Sequence, residues 1–145
     1  DREHIYWAAT PGFLITLLSA YRLAKFNLDT RQTDHFIGLP TPSSALFAMG
    51  LLLIFHFDSF GLASLVAHPL FLYPCVLVFS GLLIAELPMF SLKFKSLAWS
   101  GNEIKFIFSA VAIVLLIVLQ EAAPALIIIL YALVSLAQKG LERPA

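Results

Sequence analysis

Tyr21-Arg22-Leu23-Ala24-Lys25-Phe26-Asn27, followed after a polar gap by Gly38-Leu39-Pro40-Thr41-Pro42, decides how this chain folds. The stretch joins two long apolar runs and carries Arg22, Lys25 and Arg31 from a small basic complement. A second polar seam lies over 91–105. The rest reads as apolar helices arranged around these two seams.

Composition supports that reading. Of 145 residues, 60% are hydrophobic and 12% charged, against about 25% charged and roughly 45–50% apolar in a soluble domain. Mean hydropathy is +0.90. So apolar a chain cannot hide its surface inside a small water-soluble globule, and lipid is the economical surrounding. The net charge is zero, so neither a polyanion nor nucleic acid is implied as a partner. The single cysteine, Cys75, excludes an internal disulfide and a cysteine-based metal cluster. The chain opens Asp1-Arg2-Glu3-His4, with no initiator Met and no basic region before a cleavage site. The expectation is a fragment whose front end is missing.

Outward from the seam, the apolar runs predict an all-α polytopic membrane protein with about five transmembrane helices, forming one partial membrane domain. The spans fall at about 5–24, 42–57, 69–87, 104–119 and 124–137, with polar loops at about 25–41 and 88–103. Tyr6 and Trp7 sit where an interfacial aromatic belt belongs. Gly38 and Pro40 mark a tight turn, Thr41 is a plausible N-cap, and Pro42 suits a first helical turn. His68-Pro69 divides the third apolar run, and Pro74 kinks it without ending it. Gln120-Glu121 and Pro124 form a short turn that sends the last segment back antiparallel.

The basic residues give the orientation. One side receives Arg22, Lys25, Arg31, Lys93, Lys95, Lys105, Lys139 and Arg143, and the other only Arg2. By the positive-inside rule both seams and the C-terminus face the cytoplasm.

Arg22 reads two ways, as a topology anchor or as an anion site. Arg22, Lys25 and Arg31 converge near one loop, where a guanidinium grips phosphate in bidentate fashion, Lys adds a point charge and Asn27 a neutral hydrogen-bonding group. Asp29 and Asp34 lack a third carboxylate nearby, so a solvated loop is a better reading than a metal site. His35 beside Asp34 has no nucleophile to serve, and His4, His56 and His68 read as interfacial. Glu86 ends an apolar run near the cytoplasmic face, and a water-exposed or Lys-paired role suits it better than an intramembrane one. No catalytic triad and no glycine-rich phosphate loop is present.

Tyr-Arg-Leu-Ala-Lys-Phe-Asn, a polar loop, then Gly-Leu-Pro-Thr-Pro resembles the hallmark of the bacterial-type CDP-diacylglycerol–serine O-phosphatidyltransferases, within the CDP-alcohol phosphatidyltransferase family. Leu-Pro-Met-Phe-Ser-Leu-Lys-Phe-Lys-Ser, followed by Trp-Ser-Gly-Asn-Glu-Ile-Lys, is similar to members of the same family. The resemblance covers about 11–131. It implies phospholipid biosynthesis in a bacterial-type inner membrane. The serine hydroxyl attacks the phosphate attached to diacylglycerol and CMP leaves. CDP-diacylglycerol and L-serine are then the partners, with Mg or Mn neutralising the diphosphate; a homodimer is compatible with it.

The family's signature, Asp-x-x-Asp-Gly-x-x-Ala-Arg, then Gly-x-x-x-Asp-x-x-x-Asp, is absent, and no Asp-Gly pair occurs anywhere. The chain therefore resembles the C-terminal part of such an enzyme. It carries no catalytic residue and no metal ligand of its own and is expected to be inactive alone. Arg22, Lys25, Asn27 and Arg31 stand as candidate substrate or phosphate contacts, with Gly38, Pro40 and Pro42 shaping the loop. A sibling enzyme using another alcohol and a non-enzymatic helix scaffold remain the alternatives.

Overall fold

The computed structural model describes residues 7–30, 36–94 and 96–141. Arg31, Asp34, His35, Lys95 and Arg143 lie outside the described residues, as do Arg2, His4 and Tyr6. The fold is all-α apart from one pair of two-residue strands. A 3-10 turn, Trp7–Gly12, leads into α1, Phe13–Leu28. Strand β1, Phe36–Ile37, precedes α2, Thr41–Phe57. A short helix α3, Ala63–Val66, and then α4, Pro69–Ile84, follow. Strand β2, Pro88–Met89, precedes α5, Glu103–Leu119, and α6, Ala123–Leu141.

The local chemistry explains most of these limits. Pro11 lacks an N–H and sits in the 3-10 turn, so regular helix begins only at Phe13. Helix α1 then continues past the expected boundary to Leu28, which places Lys25 and Asn27 on its last turns rather than in a loop. Nothing from Leu14 to Asn27 breaks a helix, and Asp29 in extended conformation ends it. Thr41 is the first residue of α2 and not its N-cap. Pro40 holds the cap position, with φ −59° and ψ 137°, and no side chain bonds the free N–H groups there. Asp58 ends α2 in the left-handed region, and its Oδ1 accepts the N–H of Ala63 at 2.9 Å. His68 caps α4, its Nδ1 accepting the N–H of Leu70 at 3.2 Å. Helix α4 stops at Ile84, short of the expected 87: Ala85 is extended, with ψ 140°, and the carbonyl of Leu82 is taken by the N–H of Leu39.

The stretch Glu103–Gly140 is long and apolar enough to cross a membrane by length and composition, with hydropathy 2.6. Thr41–Phe57 and Pro69–Ile84 are shorter apolar helices. At Gln120, with φ 46° and ψ −109°, the long stretch breaks. The rings of Phe108 and Tyr131 then lie 6.0 Å apart, whereas an unbroken helix would hold those positions roughly 35 Å apart. It is a hairpin, with α5 and α6 antiparallel.

Packing runs chiefly between α2 and α6, α1 and α4, and α5 and α6. Gly50 lets α2 approach α6 closely, since a Cβ there would lie 2.4 Å from the backbone N of Ala125. Helices α2 and α4 meet at the stacked rings of Phe47 and Phe79, 3.9 Å apart. The outer surface is apolar: Phe13, Leu17, Leu70, Leu77, Ile117 and Val118 all point away from the core.

Candidate functional site

The two polar seams meet. Strands β1 and β2 pair antiparallel, Phe36 opposite Met89 and Ile37 opposite Pro88. The N–H of Gly38 donates to the carbonyl of Leu87 at 2.8 Å, and that of Leu39 to Leu82 at 2.8 Å. The second of these bonds also satisfies a carbonyl in the last turn of α4. Only glycine fits at position 38. Its φ is +75°, and a Cβ would lie 2.8 Å from the carbonyl oxygen of Leu83. Gly38 docks the first seam on the end of α4. Pro40 opens α2 from the same loop, and Pro42 lies in its first turn.

Arg22 and Lys25, three residues apart, share one face of α1. With Tyr21, Phe26, Asp29, Ile37 and Ala85 they line a small recess, with room for about one water molecule. Lys25 Nζ bonds Glu86 Oε1 at 3.0 Å, closing the recess against the end of α4. The Arg22 guanidinium sits 5.9 Å from the Phe26 ring centroid and within electrostatic reach of the Tyr131 phenol. Its Nε and Nη2 are buried with no hydrogen-bond partner. Asn27 is exposed and does not line the recess, so the neutral contact expected of it is not brought to Arg22.

Tyr131 is the residue that sequence reasoning missed. Its hydroxyl donates to the carbonyl of Phe90 at 2.8 Å, tying α6 to the second seam. Phe90 and Phe108 pack around it, at 4.9 and 6.0 Å between ring centroids. A lone phenol midway along a largely aliphatic helix was the available signal. Asn102 organises the rest of this seam. Its amide donates to the carbonyls of Ser96 and Ala98 at 3.0 and 2.9 Å. Lys105 Nζ donates to the carbonyl of Lys93 at 2.7 Å, and Trp99, Phe94 and Phe106 stack beside it.

The described residues contain no group of three His, Cys, Asp or Glu side chains able to hold a metal ion. Of the carboxylates near the recess, Glu86 is paired with Lys25 and Asp29 lies on its wall. Among the described residues this donor set offers Mg or Mn too few carboxylates. What the site offers is cationic and hydrogen-bonding: a guanidinium with buried, unpartnered N–H groups, an ammonium paired with Glu86 and an aromatic wall.

The fold and site define an all-α bundle with one polar, partly cationic end built from two paired seams. Compared with models of protein families, with curated proteins and with solved structures, the chain matches none.

Proposed function

We propose that this chain is a polytopic membrane protein whose helices α1, α2, α4, α5 and α6 cross the bilayer, with both seams on the cytoplasmic face. Helices α5 and α6, of 17 and 19 residues, are roughly 25 and 28 Å long, close to the hydrocarbon thickness of about 30 Å. The apolar exterior supports this reading, as does the gathering of Arg22, Lys25, Lys93 and Lys105 toward one end.

We further propose that the seam handles the phosphate of a lipid nucleotide, as the wall of a phosphatidyl-transfer site of the CDP-diacylglycerol–serine type. The observation that carries this is Arg22. Buried polar groups are almost always paired, yet two of its N–H groups are not. A phosphate oxygen pair is the geometry a guanidinium fork takes best. Lys25, one turn on, supplies a second charge when it exchanges Glu86 for the anion. The chemistry itself needs carboxylates that these residues lack, so the chain alone is expected to release no CMP.

The test joins this chain to helices bearing Asp-x-x-Asp-Gly-x-x-Ala-Arg and measures serine-dependent CMP release, with glycerol phosphate and inositol phosphate as competing alcohols. Serine-dependent release that falls sharply on Arg22→Ala and partly returns with Arg22→Lys supports the reading. Kinetics untouched by Arg22→Ala defeat the anion site. Release with another alcohol alone moves the chain to a sibling activity. Failure of every form to bind CDP-diacylglycerol leaves a helix scaffold.

A further inference from the structure

Helices α2 and α4 touch near the seam through Phe47 and Phe79 and part on one side of that contact. The gap is a cavity of about 400 Å³, roofed at its far end by α3. Ser44, Ala48, Leu52 and Phe55 of α2 face Val66 of α3 and Cys75 of α4 across it. The α2 residues fall at helical spacing, so one stripe of that helix lines the whole length. From Ser44 to Phe55 the stripe runs roughly 16 Å, comparable to one leaflet of a hydrocarbon core about 30 Å thick.

Ser44 carries the one hydroxyl in this lining. Ser44 is only 3% exposed, and its Oγ has no hydrogen-bond partner. It lies one turn inside α2 from the seam, where the ester groups of a cytoplasmic-leaflet lipid meet the hydrocarbon. The walls of this half-open space are apolar, so an apolar occupant suits it better than water. In a bilayer the filler at hand is an acyl chain.

We propose that this cavity seats one acyl chain of a glycerophospholipid from the seam-side leaflet, with the Ser44 hydroxyl donating to the ester carbonyl. The site rests on the membrane embedding proposed above and not on phosphatidyl transfer. Its ligand is an acyl ester, supplied either by a bulk phospholipid or by CDP-diacylglycerol.

The full chain, reconstituted in nanodiscs of ester-linked phosphatidylglycerol and released into detergent, is examined by native mass spectrometry. Wild type is expected to retain one lipid per chain. Ala48→Phe and Ala67→Phe, which fill the cavity from opposite walls with side chains entering open space, are expected to retain none. Ser44→Ala is expected to hold the ester-linked lipid about two- to tenfold more weakly, the loss of one hydrogen bond, and to hold an ether-linked analogue as wild type does. Displacement of phosphatidylglycerol by added CDP-diacylglycerol identifies a seat for the nucleotide lipid. Persistence identifies a resident lipid, and either upholds the acyl seat. Equal retention by wild type and both Phe variants overturns it, as does cross-linking from position 48 that seats a second copy there. Vesicle flotation and helical circular dichroism accompany each variant. A folded chain that does not float defeats the membrane reading itself, whereas one that floats without retained lipid defeats only the acyl seat.

Discussion

Lys25 Nζ lies 3.0 Å from Glu86 Oε1, joining the last turns of α1 to the second residue beyond α4. The side chains are 38% and 61% exposed, and an ion pair so placed contributes about 0.2–1 kcal/mol. It is a poor staple and a good competitor, because it occupies the cation that an incoming anion needs. Glu86→Gln is therefore expected to leave thermal unfolding near wild type while tightening binding of CDP or inorganic diphosphate, read by calorimetry. Weaker binding in that variant would mean that Glu86 orients Lys25 and does not compete for it.

Gly50 and Gly38 predict two distinguishable failures. A Cβ at position 50 meets the backbone of Ala125, on the neighbouring helix. Gly50→Ala must push α2 from α6, at a cost of about 1–3 kcal/mol for an overpacked contact. Its melting temperature should fall with the whole bundle. At Gly38 the obstruction is the carbonyl end of α4, at positive φ. Gly38→Ala should spare the helices and loosen the paired seams. Fast hydrogen exchange at the Leu39 amide with little change in melting would show it.

Tyr131 and Asn102 hold the second seam by separate bonds. Tyr131→Phe leaves the Phe90 carbonyl without its donor, a loss of about 1–3 kcal/mol for a buried group. Asn102→Ala frees the carbonyls of Ser96 and Ala98, on a segment that is largely exposed. The first variant should lower the melting temperature. The second should raise proteolysis at 96–101 with a smaller change in melting. Equal thermal effects would argue against this division of labour.

The helices were legible because their breakers are strong. Pro40, His68-Pro69 and the Gln120-Glu121 turn each fall at or beside a helix boundary in the structure, whereas Pro11, expected to be tolerated inside a span beginning near 5, lies in a 3-10 turn that delays the regular helix to Phe13. The end of α1 was misread because Lys25 and Asn27 look like loop residues. Yet Lys is a good helix former, and no Gly or Pro stood between them and Leu28. The pairing of the seams was invisible locally, since it rests on backbone bonds between residues some fifty positions apart. Arg22 and Lys25 could be picked as a cationic pair from their spacing. That Glu86 holds Lys25, and that Tyr131 rather than Asn27 stands by Arg22, depends on helix packing that no single segment encodes.

The joined seams make the sidedness of the protein testable at defined positions. Leu28 and Leu97 lie at the seam end and are 85% and 86% exposed, while Phe60 lies at the other end and is 69% exposed. In the bilayer embedding proposed above, the cations of the seams should keep their end cytoplasmic, and the β1–β2 pairing requires both loops to share a face. In a Cys75→Ala background, single cysteines at 28 and 97 should react with a membrane-impermeant maleimide only after permeabilisation. A cysteine at 60 should react in intact cells. Reaction of 28 and 97 from opposite faces would be incompatible with the paired strands, and with any shared site built from Arg22, Lys25 and the second loop.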